Sequence, residues 1–297
     1  MRYLYFLLAK VFYSLGYFHG SSRIQMKVFN YLPLRHGRIR HPLGFSWMIG
    51  SRDALGTYLS SCEAFTTKII LSQANNLDSF VCVGANRGWY PLLVGARNKN
   101  VKIIAFECNS SIYEELSQNI AENCNQANLY QFAISDQVST AELYMPKNGN
   151  EGMSTLHPIA KHKNEASIIE LVNLTTLDTC LIDSLETMGR SLILMDIEGS
   201  EMLALKGASK VLKYCAPSLI LEINHEMLWE AGTTAEELLG YLREYNYEVY
   251  WIDERGHLEY VGANNQLPHI TILPPHTGAN YLFVQQNQTW VQKFIKI

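Results

Sequence analysis

Ser79-Phe-Val-Cys-Val-Gly-Ala-Asn-Arg-Gly88 is the stretch whose reading decides the fold. Phe80–Val83 is an unbroken apolar run, which predicts a strand buried on both faces. Gly84 stops the strand, and a helix is predicted over Gly88–Ala96. A glycine turn that opens a helix offers backbone N–H groups to the polar end of a ligand. In a dinucleotide site the second glycine of this turn lets the backbone press against a pyrophosphate; here Asn86 holds that place. A cofactor without phosphates, such as S-adenosylmethionine, makes no such demand. Glu107 closes the next strand, 23 residues after Gly84, where an acid can accept hydrogen bonds from both ribose hydroxyls. Loop and acid together point to a nucleoside-containing cofactor.

The same alternation runs outward from this stretch. Strands are predicted at Val101–Phe106, Leu129–Ile134, Ser191–Asp196, Pro217–Ile223, Tyr247–Ile252 and Tyr281–Val284, with a hairpin arm near Leu258–Val261 across an Arg255-Gly256 turn. Helices are predicted over Ser111–Asn123, capped by Ser110 or Ser111, over Ser200–Leu212, and over Thr234–Tyr245, capped by Thr233 or Thr234. Apolar strands separated by such helices imply an α/β fold, a doubly wound and mostly parallel sheet covered on both faces. Its ligand site lies at the carboxyl ends of the strands, where Gly84, Glu107, Asp136, Asp196 and Glu222 all fall. Residues 1–76 are read as a partly helical N-terminal extension, ending in a helix across Cys62–Ala74, and residues 77–297 as the catalytic domain.

Composition narrows the function classes. With 47% hydrophobic residues the chain can build one large core. A formal charge of −4 and the lack of any Lys/Arg-rich run argue against nucleic acid as a partner. Cysteines 62, 82, 108, 124, 180 and 215 are scattered without metal-ligand spacing, which fits free thiols in the cytoplasm and disfavours zinc. The apolar run Tyr3–Phe18 is too short for a transmembrane span and lacks a signal-peptide cleavage site. It reads as a helix packed on the domain or on a second subunit of a homodimer; a membrane-surface helix is the sharper alternative, set back by the few basic residues within the run.

The motifs Val81-Cys-Val-Gly-Ala-Asn-Arg-Gly-Trp-Tyr90, Ala105-Phe-Glu107, Ala133-Ile-Ser-Asp136, Thr176-Leu-Asp178, Met195-Asp-Ile-Glu-Gly-Ser-Glu201, Leu205-Lys-Gly-Ala208 and Leu219-Ile-Leu-Glu-Ile223 stand in one order. In that order they resemble FkbM-type methyltransferases over roughly residues 53–285. The resemblance implies a class I methyltransferase sheet of seven strands, the last antiparallel, using S-adenosylmethionine. It implies O-methylation of a small-molecule acceptor, commonly a sugar or polyketide hydroxyl. It places Gly84, Ala85, Asn86 and Gly88 at the methionine and ribose end, Glu107 on the ribose, and Ser135 with Asp136 near the adenine. Cys82 departs from the pattern, because the family usually has Asp there to orient the loop or the cofactor's ammonium.

Methyl transfer to an alcohol needs alignment, which contributes about 7–11 kcal/mol, and a base, worth about 10²–10⁴-fold. Asp196 and Glu198 would point the same way from an extended strand end, and Glu201 opens the next helix. Glu222 and His225 form a second cluster. His225 or Asp196 is the expected general base, with Glu198 and Glu222 orienting the acceptor. The same acids would suit Mg²⁺, although no metal is assigned. Each has a structural reading too: Glu198 and Glu201 as helix-start acids, His225 as a loop histidine, Asp178 as a helix cap. The polar segment Asn148–His162 is expected to border the acceptor pocket. Two other functions stay open: a methyltransferase-like binding module that Cys82 has impaired, and a nicotinamide-dependent oxidoreductase.

Overall fold

A computed structural model of the chain describes residues 2–15, 34, 36–59, 63–124, 127–146, 153–157, 167–253, 257–262, 267, 278–286 and 289–295. Cys62, Gly149, Gly152 and the Arg255-Gly256 turn lie outside the described residues. The N-terminal part holds α1 (Arg2–Leu15), the hairpin β1 (Gly37–Arg40) and β2 (Ser46–Ile49), α2 (Arg52–Leu59) and α3 (Ala64–Ala74). The first half of the main sheet follows as β3 (Ser79–Val83), α4 (Trp89–Arg97), β4 (Lys102–Phe106), α5 (Ser110–Asn123) and β5 (Ala127–Tyr130). Then come β6 (Ala133–Ile134), β7 (Ser139–Pro146), β8 (Ser167–Thr175) and α6 (Leu177–Leu181). The second half comprises β9 (Ser191–Met195), α7 (Glu201–Lys206), α8 (Ser209–Tyr214), β10 (Ser218–Ile223), α9 (His225–Glu230), α10 (Ala235–Glu244), β11 (Tyr247–Ile252), β12 (Leu258–Tyr260) and β13 (Ala279–Gln285).

The main sheet has eight strands in the order β12-β11-β13-β10-β9-β3-β4-β5, not the expected seven. The strands from β10 to β5 pair in parallel, and β13 runs antiparallel between β10 and β11. The class I methyltransferase sheet is therefore present, and the extra member is β12, the hairpin arm, paired antiparallel on the edge of β11. Side chains alternate across the sheet as the pleat requires. Phe80, Cys82, Ile103 and Leu194 face a core shared with α4 and the N-terminal elements, including Trp47, Tyr58 and Ile69. Val81, Val83, Ile104 and Met195 face a second core made with α6 to α10.

Three sequence expectations change in detail. Leu129–Ile134 is not one strand, because β6 leaves the main sheet to pair with β8 in a small sheet of order β6-β8-β7. Ser200–Leu212 is broken into α7 and α8, with Gly207 closing α7 at a point where a Cβ would strike the Ser135 carbonyl. Asn109, not Ser110 or Ser111, caps α5 by accepting from the Ser111 and Ile112 amides. The unpaired edge of β2 is covered in an unusual way. Asn119 and Asn123 of α5 accept from the Met48 and Ser46 amides at 3.0 and 2.7 Å, and Asn123 donates to the Ser46 carbonyl.

Candidate active site

The chain moves from β3 outward through β4 and β5, then returns to lay β9 on the other side of β3. The carboxyl ends of β3 and β9 are thus the switch point where an open α/β sheet leaves a crevice. A cleft opens there, and its walls include Gly84, Asn86, Glu107, Asp196, Glu198 and Ser200.

The glycine loop is built by backbone contacts. The Gly84 and Ala85 amides donate to the Phe106 carbonyl at 3.0 and 2.8 Å. Gly84 has φ 75° and crosses β9 so closely that a Cβ there would strike the Asp196 carbonyl. Asn86 is left-handed at φ 48°, a conformation asparagine tolerates better than most residues. Its amide donates to Glu107 at 2.9 Å, and its own side chain accepts from the Arg87 amide at 2.8 Å. The other oxygen of Glu107 accepts from the Asn109 amide at 2.9 Å. Burial pushes the Glu107 carboxyl up, and these amides pull against it.

Across the cleft, Asp196, Glu198 and Glu222 bring carboxylate oxygens within 4.8 Å of one another. Burial and the charge of Glu222 raise Asp196 well above the carboxylate range, and the two carboxyls share a hydrogen bond. Glu198 is left-handed at φ 50°, and burial together with Asp196 and Glu201 pushes it up to about 8. Left-handed non-glycine backbone is costly and collects at functional sites. Thr155 donates to the Glu198 carbonyl at 2.8 Å, while Ser154 and Leu156 line the cleft, so this part of the Asn148–His162 segment borders it.

The remaining candidate residues lie elsewhere or do other work. His225 is exposed as the first residue of α9 and is not brought into the acid cluster. Ser135 is buried with its amide on the Thr175 carbonyl, and Asp136 is exposed; neither lines the cleft. Glu201 turns back to accept from the Ile197 and Gly199 amides at 3.1 Å each, holding the β9–α7 turn. Asp178 does cap a helix, but a distant one: it accepts from the Lys210 and Val211 amides at the start of α8.

Sequence reading missed three contributors. Glu63, left-handed at φ 43° before α3, accepts from Tyr90 and Asn280 at 2.7 Å each, and its charge reaches Asp196, Glu198 and Glu222. Nothing local to residue 63 marks it. Arg87, only 2% exposed, binds Asp53 at 2.6 Å and Glu115 at 2.8 Å. The available signal is a charged side chain in the turn between the apolar strand Phe80–Val83 and the apolar run Trp89–Val94. Phe132, Ala133, Ile134 and Leu143 form an apolar wall of the cleft, made possible by β6 turning out of the main sheet.

The Methyltransferase FkbM domain model matches residues 83–249, more than half of the chain and the whole stretch from the glycine loop through β10. The chain belongs to the FkbM methyltransferase family. No curated protein sequence matches it. Among solved structures, it is similar to a methyltransferase FkbM from Methylobacillus flagellatus KT, at 13% identity and TM-score 0.40 over 89% of this chain and 60% of that one. The chain therefore spans about 60% of that protein's length. It is also similar to M. jannaschii TYW2 in complex with AdoMet, at 12% identity and TM-score 0.41 over 85% and 86% of the two chains. A precorrin-6y C5,15-methyltransferase from Geobacter metallireducens GS-15 covers 74% of this chain and 87% of that one, at 12% identity and TM-score 0.37. Family membership rests on the domain match; Cys82, one residue before the match in this FkbM-family chain, is buried in β3, its thiol raised by burial and by the Asp196 and Glu107 carboxylates.

Proposed function

We propose that this chain is an S-adenosylmethionine-dependent O-methyltransferase acting on a hydroxyl of a sugar or small natural product. The observation that carries the reading is the concentration of carboxylates on a cleft whose lining includes no Lys, Arg or His among the described residues. Such a cleft suits a cofactor that brings a sulfonium and an ammonium, and it opposes the pyrophosphate of a nicotinamide cofactor. Glu107 keeps acceptor capacity for ribose hydroxyls, the Gly84–Gly88 turn would hold the amino-acid end, and Phe132, Ala133 and Ile134 offer an apolar wall to the adenine. When bound, the cofactor supplies the methyl group and its thioether leaving group. The chain's own task is to orient the acceptor and take its proton.

The Asp196–Glu222 pair is the base in this reading. With both carboxyls raised by burial, Glu222 to about 7, the pair has high proton affinity in its ionised form near neutral pH. Activity is then expected to rise as pH passes through about 7. A second role for the same oxygens is to hold a divalent cation, whose ligand chemistry Asp196, Glu198 and Glu222 match. EDTA distinguishes the two: retained activity leaves the proton with the pair, and loss reversed by Mg²⁺ assigns the carboxylates to the ion.

Cys82 does not remove the loop, because Asn86 and Glu107 hold it through the backbone. The deciding experiment is calorimetric titration with S-adenosylhomocysteine. Micromolar binding that Glu107→Ala abolishes supports the reading. No binding by the wild-type protein, with binding gained in Cys82→Asp, would leave an impaired module instead. The acceptor class follows the family resemblance, and turnover on hydroxylated sugars tests it.

A further inference from the structure

The exposed side of α1 is the strongest feature outside the cleft. At about 100° per residue, Tyr3, Leu4, Leu7 and Val11 fall within an arc of about 100°, while Tyr5 and Ala9 fall on the opposite side. The structure follows this division: Tyr5 and Ala9 are fully buried against the domain, whereas Tyr3 is 73%, Leu4 41%, Leu7 39% and Val11 46% exposed. One helix therefore uses one apolar face for the core and leaves the other in water. Contiguous apolar surface of this kind marks an interaction site.

Charge identifies the occupant. Residues 1–52 contain eight Lys and Arg and no Asp or Glu, a formal +8, in a chain whose total is −4, so the remainder carries −12. Among the described residues, exposed Lys10 lies beside the apolar arc, and β1, which contacts α1, bears exposed Arg40. A two-fold contact through α1 would set two such basic segments against each other. With 14 residues, α1 is too short to cross a bilayer, and no described helix is long and apolar enough to do so. We propose that α1 lies in the surface of an anionic lipid bilayer, with Tyr3, Leu4, Leu7 and Val11 inserted and the exposed basic side chains of Lys10 and Arg40 toward the headgroups. This is the geometry of an interfacial helix, in which apolar insertion and electrostatic attraction act together. The +8 of the whole segment reverses the weight that the apolar run alone suggested.

The test is co-sedimentation of the full chain with phosphatidylcholine vesicles, with and without phosphatidylserine. Binding is expected only with phosphatidylserine, weakened by raising salt as the Debye length shrinks from about 10 Å at 0.1 M. Leu4→Ser/Leu7→Ser should reduce it about tenfold. Both side chains are part-exposed, so an unchanged melting temperature will show that the variant is folded. Lys10→Glu, which leaves the apolar arc intact, should weaken binding to anionic vesicles alone. Equal binding to neutral vesicles, no binding, or an unaffected double variant would overturn the proposal. So would a concentration-dependent dimer that the double variant abolishes in a protein that ignores vesicles.

Discussion

Asn86 and Glu198 stand at matching points of the two loops that face the cleft, and both are left-handed without being glycine. Asn86 stabilises its own turn through its side chain, but Glu198 places its carboxyl beside those of Asp196 and Glu222 with no such compensation. Its consequence is a pH-dependent stability. A carboxyl raised to about 8 in the fold, against about 4.3 when unfolded, contributes stability that is fully present below the unfolded value. That contribution is lost as pH rises through about 8. Other groups have the opposite sense: burial drives the His41 imidazole down to about 3, so it gains nothing as pH rises past neutrality but penalises acid conditions. The useful comparison is thus between wild type and Glu198→Gln, without ligand. The two should melt together near pH 4, below the unfolded value, and the variant should be increasingly the more stable as pH rises to about 8.5. A pH-independent difference would contradict the placement of Glu198 in the acid cluster.

At the scale of elements, capping chemistry read from sequence was right in kind and uneven in address. For α10 the expected cap is there: Thr234 accepts from the Glu237 amide at 3.2 Å, and Glu237 accepts from the Thr234 amide at 3.0 Å. Thr234→Ala should cost about 1 kcal/mol and Thr234→Ser much less, measured by the urea midpoint. Asp178 follows Thr176-Leu177 and belongs by sequence to α6, which Thr176 caps. Its carboxylate nevertheless serves α8, some thirty residues on, because the break at Gly207 leaves the α8 amides open beside it. Local pattern identifies a capping residue; packing decides which helix receives it.

For the molecule as a whole, the N-terminal elements and the glycine loop are tied by one side chain. Arg87 leaves the loop, enters the core and meets Asp53 of α2 and Glu115 of α5. Breaking a buried ion pair costs about 3–5 kcal/mol; here Asp53 and Glu115 remain part-exposed, so Arg87→Met should fall near the low end, roughly 3 kcal/mol. The loss should appear in both the urea midpoint and the affinity for S-adenosylhomocysteine, because the loop loses its link to α2. A loss in stability with unchanged affinity would show the loop to be held by Asn86 and Glu107 alone.

The sequence alone determined the α/β alternation and the strand ends, because each is written in local pattern: apolar runs of strand length, a glycine where a turn crosses another backbone, an acid closing a buried strand; the family resemblance rested on the order of its short motifs. The sequence also placed Gly84, Asn86, Glu107, Asp196, Glu198 and Glu222 at one edge of the sheet. Tertiary structure decided what those residues meet. It separated His225 from Asp196, brought Glu63 and Asn280 to the same acids from opposite ends of the chain, and turned β6 away so that Ala133 and Ile134, not Asp136, line the cleft. Burial, proton sharing and long-range ion pairs depend on distances between segments far apart in the chain, and no local spacing records them.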